Sequence, residues 1–251
     1  MVFARRKRKT YAGRKRSRRS FKRRSNVKRR MVRRPRNIGR LPGFPETYKT
    51  VLVYNEGISI DAAAGGATYY SFNCMNLYDP NYSGTGHQPL YYDNLTAIYN
   101  RWRVRAAYIT VTILDTFVSN ATVDAGAAYR AQGTGGRLIV CRDINAADNE
   151  TTTNNIQEER SKNIKWRYFS AQTNGRDPKL KMMCIPHVQL KFAKDDAQLF
   201  GSVGSGPTAN CFFNIGVAGV DDTVNPPNVR LNVRISYVVD FFDRIVDQPQ
   251  N

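Results

Sequence analysis

The chain has 251 residues, of which 39 are Lys or Arg and 20 are Asp or Glu, giving a formal charge of +19 with 41% hydrophobic residues. That balance disfavours a neutral small-molecule enzyme, and the length suffices for a substantial buried core. The charge is concentrated: residues 1–40 hold 20 of the basic residues and no acid, which leaves 19 basic against 20 acidic residues from position 41 onward. Two segments are therefore expected, a polycationic arm at 1–40 and a nearly neutral body at 41–251.

Within the arm the cations fall in blocks: Arg5, Arg6, Lys7, Arg8 and Lys9; Arg14, Lys15, Arg16, Arg18 and Arg19; Lys22, Arg23 and Arg24; Lys28, Arg29 and Arg30; then Arg33, Arg34, Arg36 and Arg40. With so few apolar residues the arm cannot fold alone, and a disordered segment is expected whose self-repulsion is relieved by a polyanion. Arg outnumbers Lys, which suits bidentate contact with phosphate, so nucleic acid is the implied partner. Phe3, Tyr11 and Phe21 are spaced to stack on unpaired bases. Clusters of this kind also serve as nuclear import signals, read by an import receptor. Basic residues stand where a secretion signal would be apolar, and no apolar run approaches the ~18–20 residues of a bilayer span. Neither export nor membrane insertion is expected.

After Pro42, Gly43 and Pro45 the sequence turns to β-branched and aromatic segments. Eight strands are predicted, at 48–56, 67–75, 101–118, 137–144, 163–170, 179–185, 210–220 and 228–243. A short helix is predicted at 93–100 with Asp93 as its N-cap, and a weaker helical pattern at 188–199. The expected fold is all-β, a single eight-stranded jelly roll with helices confined to connections. The long connections, at 76–100, 119–136, 145–162 and 186–209, are the candidates for intermolecular contacts.

Alternation within the strands places side chains on faces. Arg101, Arg103 and Arg105 share one face, with Trp102, Val104 and Ala106 on the core side. Lys179 and Lys181 share a face, and Arg230, Asn232 and Arg234 lie opposite Leu231, Val233 and Ile235. In jelly-roll lettering these are strands D, G and I of the B-I-D-G sheet, so one outer face would gather up to seven cations. Singly, each arginine reads as a solvated or carboxylate-paired strand residue. Together they suggest a second surface for a polyanion or a neighbouring subunit.

Residues for catalysis are missing from the pattern. His87 and His187 have no companion at metal-ligand spacing, and the glycine-rich segments 133–136 and 201–206 lack the Lys-Ser/Thr ending of a phosphate loop. The adjacent acids Asp195-Asp196 and Asp221-Asp222 read as solvated loop residues. Cys74, Cys141, Cys184 and Cys211 are far apart in sequence and read as reduced core residues rather than metal ligands or disulfides. No catalytic group, metal or cofactor is expected.

Several stretches together resemble the capsid proteins of circoviruses and related small circular single-stranded DNA viruses that encode a replication initiator protein. An Arg-rich arm precedes the β-rich body. Gly86-His87-Gln88-Pro89-Leu90 and residues 91–99 lead into Tyr99-Asn100-Arg101-Trp102-Arg103-Val104-Arg105, on a strand running to Ile109-Thr110-Val111-Thr112-Ile113. Trp166-Arg167-Tyr168-Phe169 precedes Asp177-Pro178, and Val229-Arg230-Leu231-Asn232-Val233-Arg234 opens the strand that ends the body. The resemblance implies an icosahedral shell of about 60 identical subunits, arms directed inward on a single-stranded DNA genome, and assembly in the host nucleus. Sixty such arms would supply roughly 1,200 cations, enough for a similar number of phosphates. It also implies that the 119–136 connection gathers near five-fold axes, that the other long loops meet neighbouring subunits, and that loop tips contact a host-cell receptor. The alternative is a cellular nucleic-acid-binding module of ribosomal or chromatin type with a basic tail.

Overall fold

The computed structural model describes residues 44–62, 66–119, 128–129, 135–146, 152–158, 163–170, 178–220 and 226–245. The arm at 1–40 lies outside them. In chain order the elements are β1 (Tyr48–Ile60), β2 (Thr68–Asn73), α1 (Tyr92–Thr96), β3 (Tyr99–Ser119), β4 (Ala128–Tyr129), β5 (Gly135–Asp143), α2 (Thr153–Glu158), β6 (Ile164–Ser170), β7 (Lys179–Cys184), α3 (Pro186–Gln189), β8 (Phe200–Ser202), β9 (Phe212–Gly219) and β10 (Asn228–Arg244).

Alternating apolar residues set the pairing. In β10, Val229, Leu231, Val233, Ile235, Tyr237, Val239 and Phe241 are fully buried, while Arg230 and Arg234 between them are exposed. Each such burial contributes roughly 1.5–3 kcal/mol, so a slip of one residue would expose the whole set. The strand is held antiparallel between β1 and β3. With β7 on the far side of β3, the order is β1-β10-β3-β7, and the second sheet runs β2-β9-β5-β6. These are the B-I-D-G and C-H-E-F sheets of a jelly roll, with all-β architecture as the sequence predicts. Two shorter strands were not predicted: β8, β7 and β4 follow one another along β3, at Arg101–Arg103, Ala107–Thr112 and Val118–Ser119.

Two β-bulges correct the predicted faces of β3. Arg105 is the extra residue between the pairs Val104↔Val239 and Ala106↔Val238, and Leu114 is the second. Ala106 therefore turns outward and Ala107 takes the core position. The predicted helix at 93–100 is also shorter and begins earlier. Tyr91, at φ 71°, provides its N-cap position without a side-chain bond, Asp93 sits inside its first turn, and Tyr99 and Asn100 already belong to β3. The 188–199 pattern is no continuous helix, because α3 stops at Gln189 and a separate 3-10 turn follows at Ala197–Leu199.

The core lies between the sheets, with Trp102, Tyr54, Tyr99, Tyr237, Phe72, Phe213 and Phe241 as its largest fully buried side chains. Gly201 of β8 lies against the Trp102 ring, where a Cβ would come within 2.2 Å of a ring carbon. Tyr237 donates its hydroxyl to the backbone oxygen of Asn73 at 2.8 Å, tying the first sheet to the second through the core. Replacing it, Tyr237→Phe, is expected to cost about 1–2 kcal/mol, because the buried carbonyl loses its partner. Thermal unfolding would read this as a fall of roughly 2–8 °C, and an unchanged melting point would show that the bond carries no net stability.

Candidate nucleic-acid interface

The twenty arm cations fall outside the described residues, so the body's part in any interface rests on the outer face of the β1-β10-β3-β7 sheet. Register settles how the seven predicted cations lie there. Lys181 and Arg234 flank Thr110 on opposite neighbours, and Lys179 and Asn232 flank Thr112 in the next row but one along β3. Arg230 pairs with Asp115 in register, beyond them along β10. These four side chains, Arg230, Arg234, Lys179 and Lys181, are all exposed. Among the described residues Arg234, Lys179 and Lys181 form no ion pair with a carboxylate. They make one cationic end of the face.

The three β3 arginines lie toward the other end, and carboxylates neutralise them. Arg103 meets Asp195 at 2.8 Å and Asp240 at 3.4 Å, Arg105 meets Asp240 at 3.7 Å, and Arg101 meets Asp243 at 3.5 Å. Arg103 also lies over the rings of Phe200 and Phe242, at 5.2 and 5.5 Å. The seven predicted cations thus fall into two groups on this face, an ion-paired end, as the carboxylate-paired reading of single arginines expects, and an exposed basic end. Between them stand Val51, Val53, Val238, Ser236, Tyr108 and Met183, a largely apolar strip. A period-two reading could have found Asp240, which is in phase with Arg234 on β10; nothing local marks Asp195, which arrives from the loop after α3. Asp195 stays solvated, its side chain 90% exposed, while it pairs with Arg103, and Asp196 caps the 3-10 turn by accepting from Gln198.

A cavity of about 620 Å³ opens on the ion-paired end. Lys49, Arg103, Arg105, Lys194 and His187 bring positive or protonatable groups to it, against Asp195 and Asp240, over an apolar floor that includes Val104, Ala106 and Leu199. Asp240 is buried, and its Oδ1 has no hydrogen-bond partner among the described residues. Lys49 and Lys194 are the lining cations besides the ion-paired Arg103 and Arg105.

Other residues act as scaffold. His87 reaches the Asn55 carbonyl through Nε2 at 3.1 Å and sets its ring edge-on to Tyr54, 4.7 Å away, fixing the 86–89 loop to β1. Asn81 donates to both carboxylate oxygens of Glu56 and to the Tyr70 hydroxyl, and Tyr54 donates to Glu56. Burial and the neighbouring Glu56 push the Tyr54 hydroxyl well above its ordinary range, so it remains a donor. On the second sheet Arg137, only 3% exposed, stacks against Trp166 and Tyr168. The strand alternation gave no sign of this buried cation. Large apolar side chains are exposed on the loop between β2 and β3, with Tyr82 at 62%, Leu90 at 68% and Tyr91 at 64%.

No protein-family profile matches the chain, and no curated protein does. Viral coat proteins are among the solved structures with similar backbones. The BFDV capsid protein, solved as a decamer, is 10% identical over 78% of this chain and 99% of its own, with a TM-score of 0.39. The coat of turnip yellow mosaic virus is 11% identical, over 82% of this chain and 100% of its own, at a TM-score of 0.42. That of cocksfoot mottle virus is 9% identical, over 79% and 96% respectively, at 0.43.

Proposed function

We propose that this chain is a structural coat protein, not an enzyme, which assembles with identical copies into a small closed shell and condenses a nucleic acid through its Arg-rich arm. The observation that carries the reading is the joining of a B-I-D-G/C-H-E-F jelly roll to a segment of 20 cations without an acid. The division at residue 40 is part of the proposal: the body supplies shape and subunit contacts, the arm supplies charge. Exposed Tyr82, Leu90 and Tyr91 on the β2–β3 loop suit contact with neighbouring subunits, since large apolar side chains gain from burial against a partner. The finer reading follows the sequence resemblance, with a single-stranded DNA genome, about 60 copies, passage through a nuclear import receptor, assembly in the host nucleus, and a virion that engages a host-cell receptor.

Electron microscopy of the full chain, beside a chain lacking residues 1–40, each with single-stranded DNA at low and high salt, tests this directly. Uniform closed shells, filled only when the arm is present, are the expected result. A chain that binds DNA yet never closes into particles would point instead to a cellular nucleic-acid-binding module.

The exposed basic end of the first sheet adds a smaller contribution in this reading. Charge reversal at Arg234→Glu with Lys181→Glu is expected to weaken DNA binding by about tenfold with the arm intact, since a few phosphate contacts are lost. Both residues are exposed, so the melting point should move little. Unaltered DNA affinity would remove the face from the interface.

A further inference from the structure

Three of the four cysteines, separated by 110 and 27 positions in sequence, meet inside the sandwich. Cys74 follows β2, Cys184 ends β7 and Cys211 precedes β9, so the first sheet contributes one and the second sheet's strands frame the other two. Each is fully buried. The Cys184 and Cys211 sulfurs are 3.6 Å apart, and all three sulfurs lie within 4.8 Å of one another. The backbone fixes this meeting, with Cys74 N–H donating to the Cys211 carbonyl at 2.8 Å and Cys184 paired with Ala107 in the sheet.

We propose that Cys74, Cys184 and Cys211 form a site for one thiophilic d10 metal ion, Zn2+ or Cu+, that fastens the two sheets together. Buried cysteines ordinarily pack as small apolar residues, which accounts for Cys141, whose sulfur contacts the Asn214 carbonyl instead. It does not call for three sulfurs at one point. Thiolates sharing an ion at about 2.3 Å are separated by about 3.8 Å with tetrahedral angles and about 4.0 Å when trigonal, which the observed spacing brackets. A disulfide would need the sulfurs to close to ~2.05 Å and would leave the third thiol over. Among the described residues no further His, Cys, Asp or Glu joins the three, so the donor set is all sulfur, the soft set that selects such ions.

The electrostatics are compatible with loading. The S–H groups of Cys211 and Cys74, and the Arg142 charge, hold the Cys184 thiol below its ordinary range, while burial pushes the Cys74 thiol up. On binding, the ion accepts a lone pair from each of the three sulfurs, the thiol protons they carry leave to solvent, and no electron is transferred. Zn2+ with three thiolates carries one negative charge, which the nearby Arg142 guanidinium offsets. This site is independent of the coat-protein reading and stands or falls separately.

The full chain, unfolded with reductant and chelator, would be refolded without metal and with Zn2+, Cu+ or Cd2+ as a spectroscopic substitute. Retention of about one equivalent of ion per chain after desalting, with a thiolate-to-metal charge-transfer band for Cd2+, is expected. Cys184→Ala should lower the retained metal at least about tenfold, while Cys141→Ala should leave it unchanged. Should Cys184→Ala fail to fold, the Cd2+ band of the unaltered chain decides the matter. A natively refolded chain that retains none of the three ions overturns the proposal, as does a Cys184–Cys211 disulfide found by mass spectrometry in the chain as purified.

Discussion

Deletion of residues 1–40 is expected to weaken the binding of single-stranded DNA at least about a thousandfold near 0.1 M salt and to flatten its salt dependence. The arm carries 20 cations, whereas the rest of the chain has 19 basic residues against 20 acids. Each phosphate contacted on a single strand contributes about −0.7 to the slope of log affinity against log salt, so ten contacts give a slope of roughly −7. A fourfold rise in salt would then cost the full chain about four decades of affinity. Fluorescence anisotropy across a salt series measures both quantities. Equal slopes for the full and shortened chains would place binding on the body and refute the assigned role of the arm.

Arg103→Met is the second large effect, and it acts on stability. Asp240 is 5% exposed at its side chain and Arg103 15%, so this pair is largely shielded from water. Removing the guanidinium leaves the Asp240 carboxylate, among the described residues, with only Arg105, at 3.7 Å, while its Oδ1 has no hydrogen-bond partner there. Breaking a buried pair from one side costs about 3 kcal/mol or more, because the remaining charge is still desolvated. For a body of this size the melting point should fall by roughly 6–12 °C. Replacing both partners, Arg103→Met with Asp240→Leu, should recover most of the loss, since neither charge then remains buried. A double variant no more stable than the single one would mean that Arg103 acts through its stacking between Phe200 and Phe242 instead.

The contrast between these residues shows what sequence can disclose. Strict alternation from Val229 to Phe241 identifies both faces of β10, because a strand buried on one side repeats every two residues. The bulges at Arg105 and Leu114 leave no such mark: β3 is uniformly β-forming across them, and the extra residues appear only when the strand is laid against β10. Period-two spacing therefore puts Ala106 on the core face, where the Arg105 bulge places Ala107. Strands of two or three residues, β4 and β8, are below the length at which periodicity exists. In the interface, the cations were legible by their phase, but Asp195 reaches Arg103 from 92 residues away, and that approach is fixed by chain topology. The cysteines repeat the lesson. Spacing in sequence separates Cys74 from Cys184 and Cys211, and only the closing of the sandwich brings them together.

Because β10 lies between β1 and β3, the first sheet cannot close until its central strand has been synthesised, about 170 residues after β1. At about 5–20 residues per second, roughly 10–35 s pass on the ribosome with that place unfilled. The arm precedes β1 in the chain, so for most of this interval it stands outside the exit tunnel before the sheet closes. Under the coat function proposed above, any nucleic acid met in that interval must stay releasable for tens of seconds, and clustered phosphate contacts, which exchange with salt, meet that requirement where a slow-dissociating base-specific site would not.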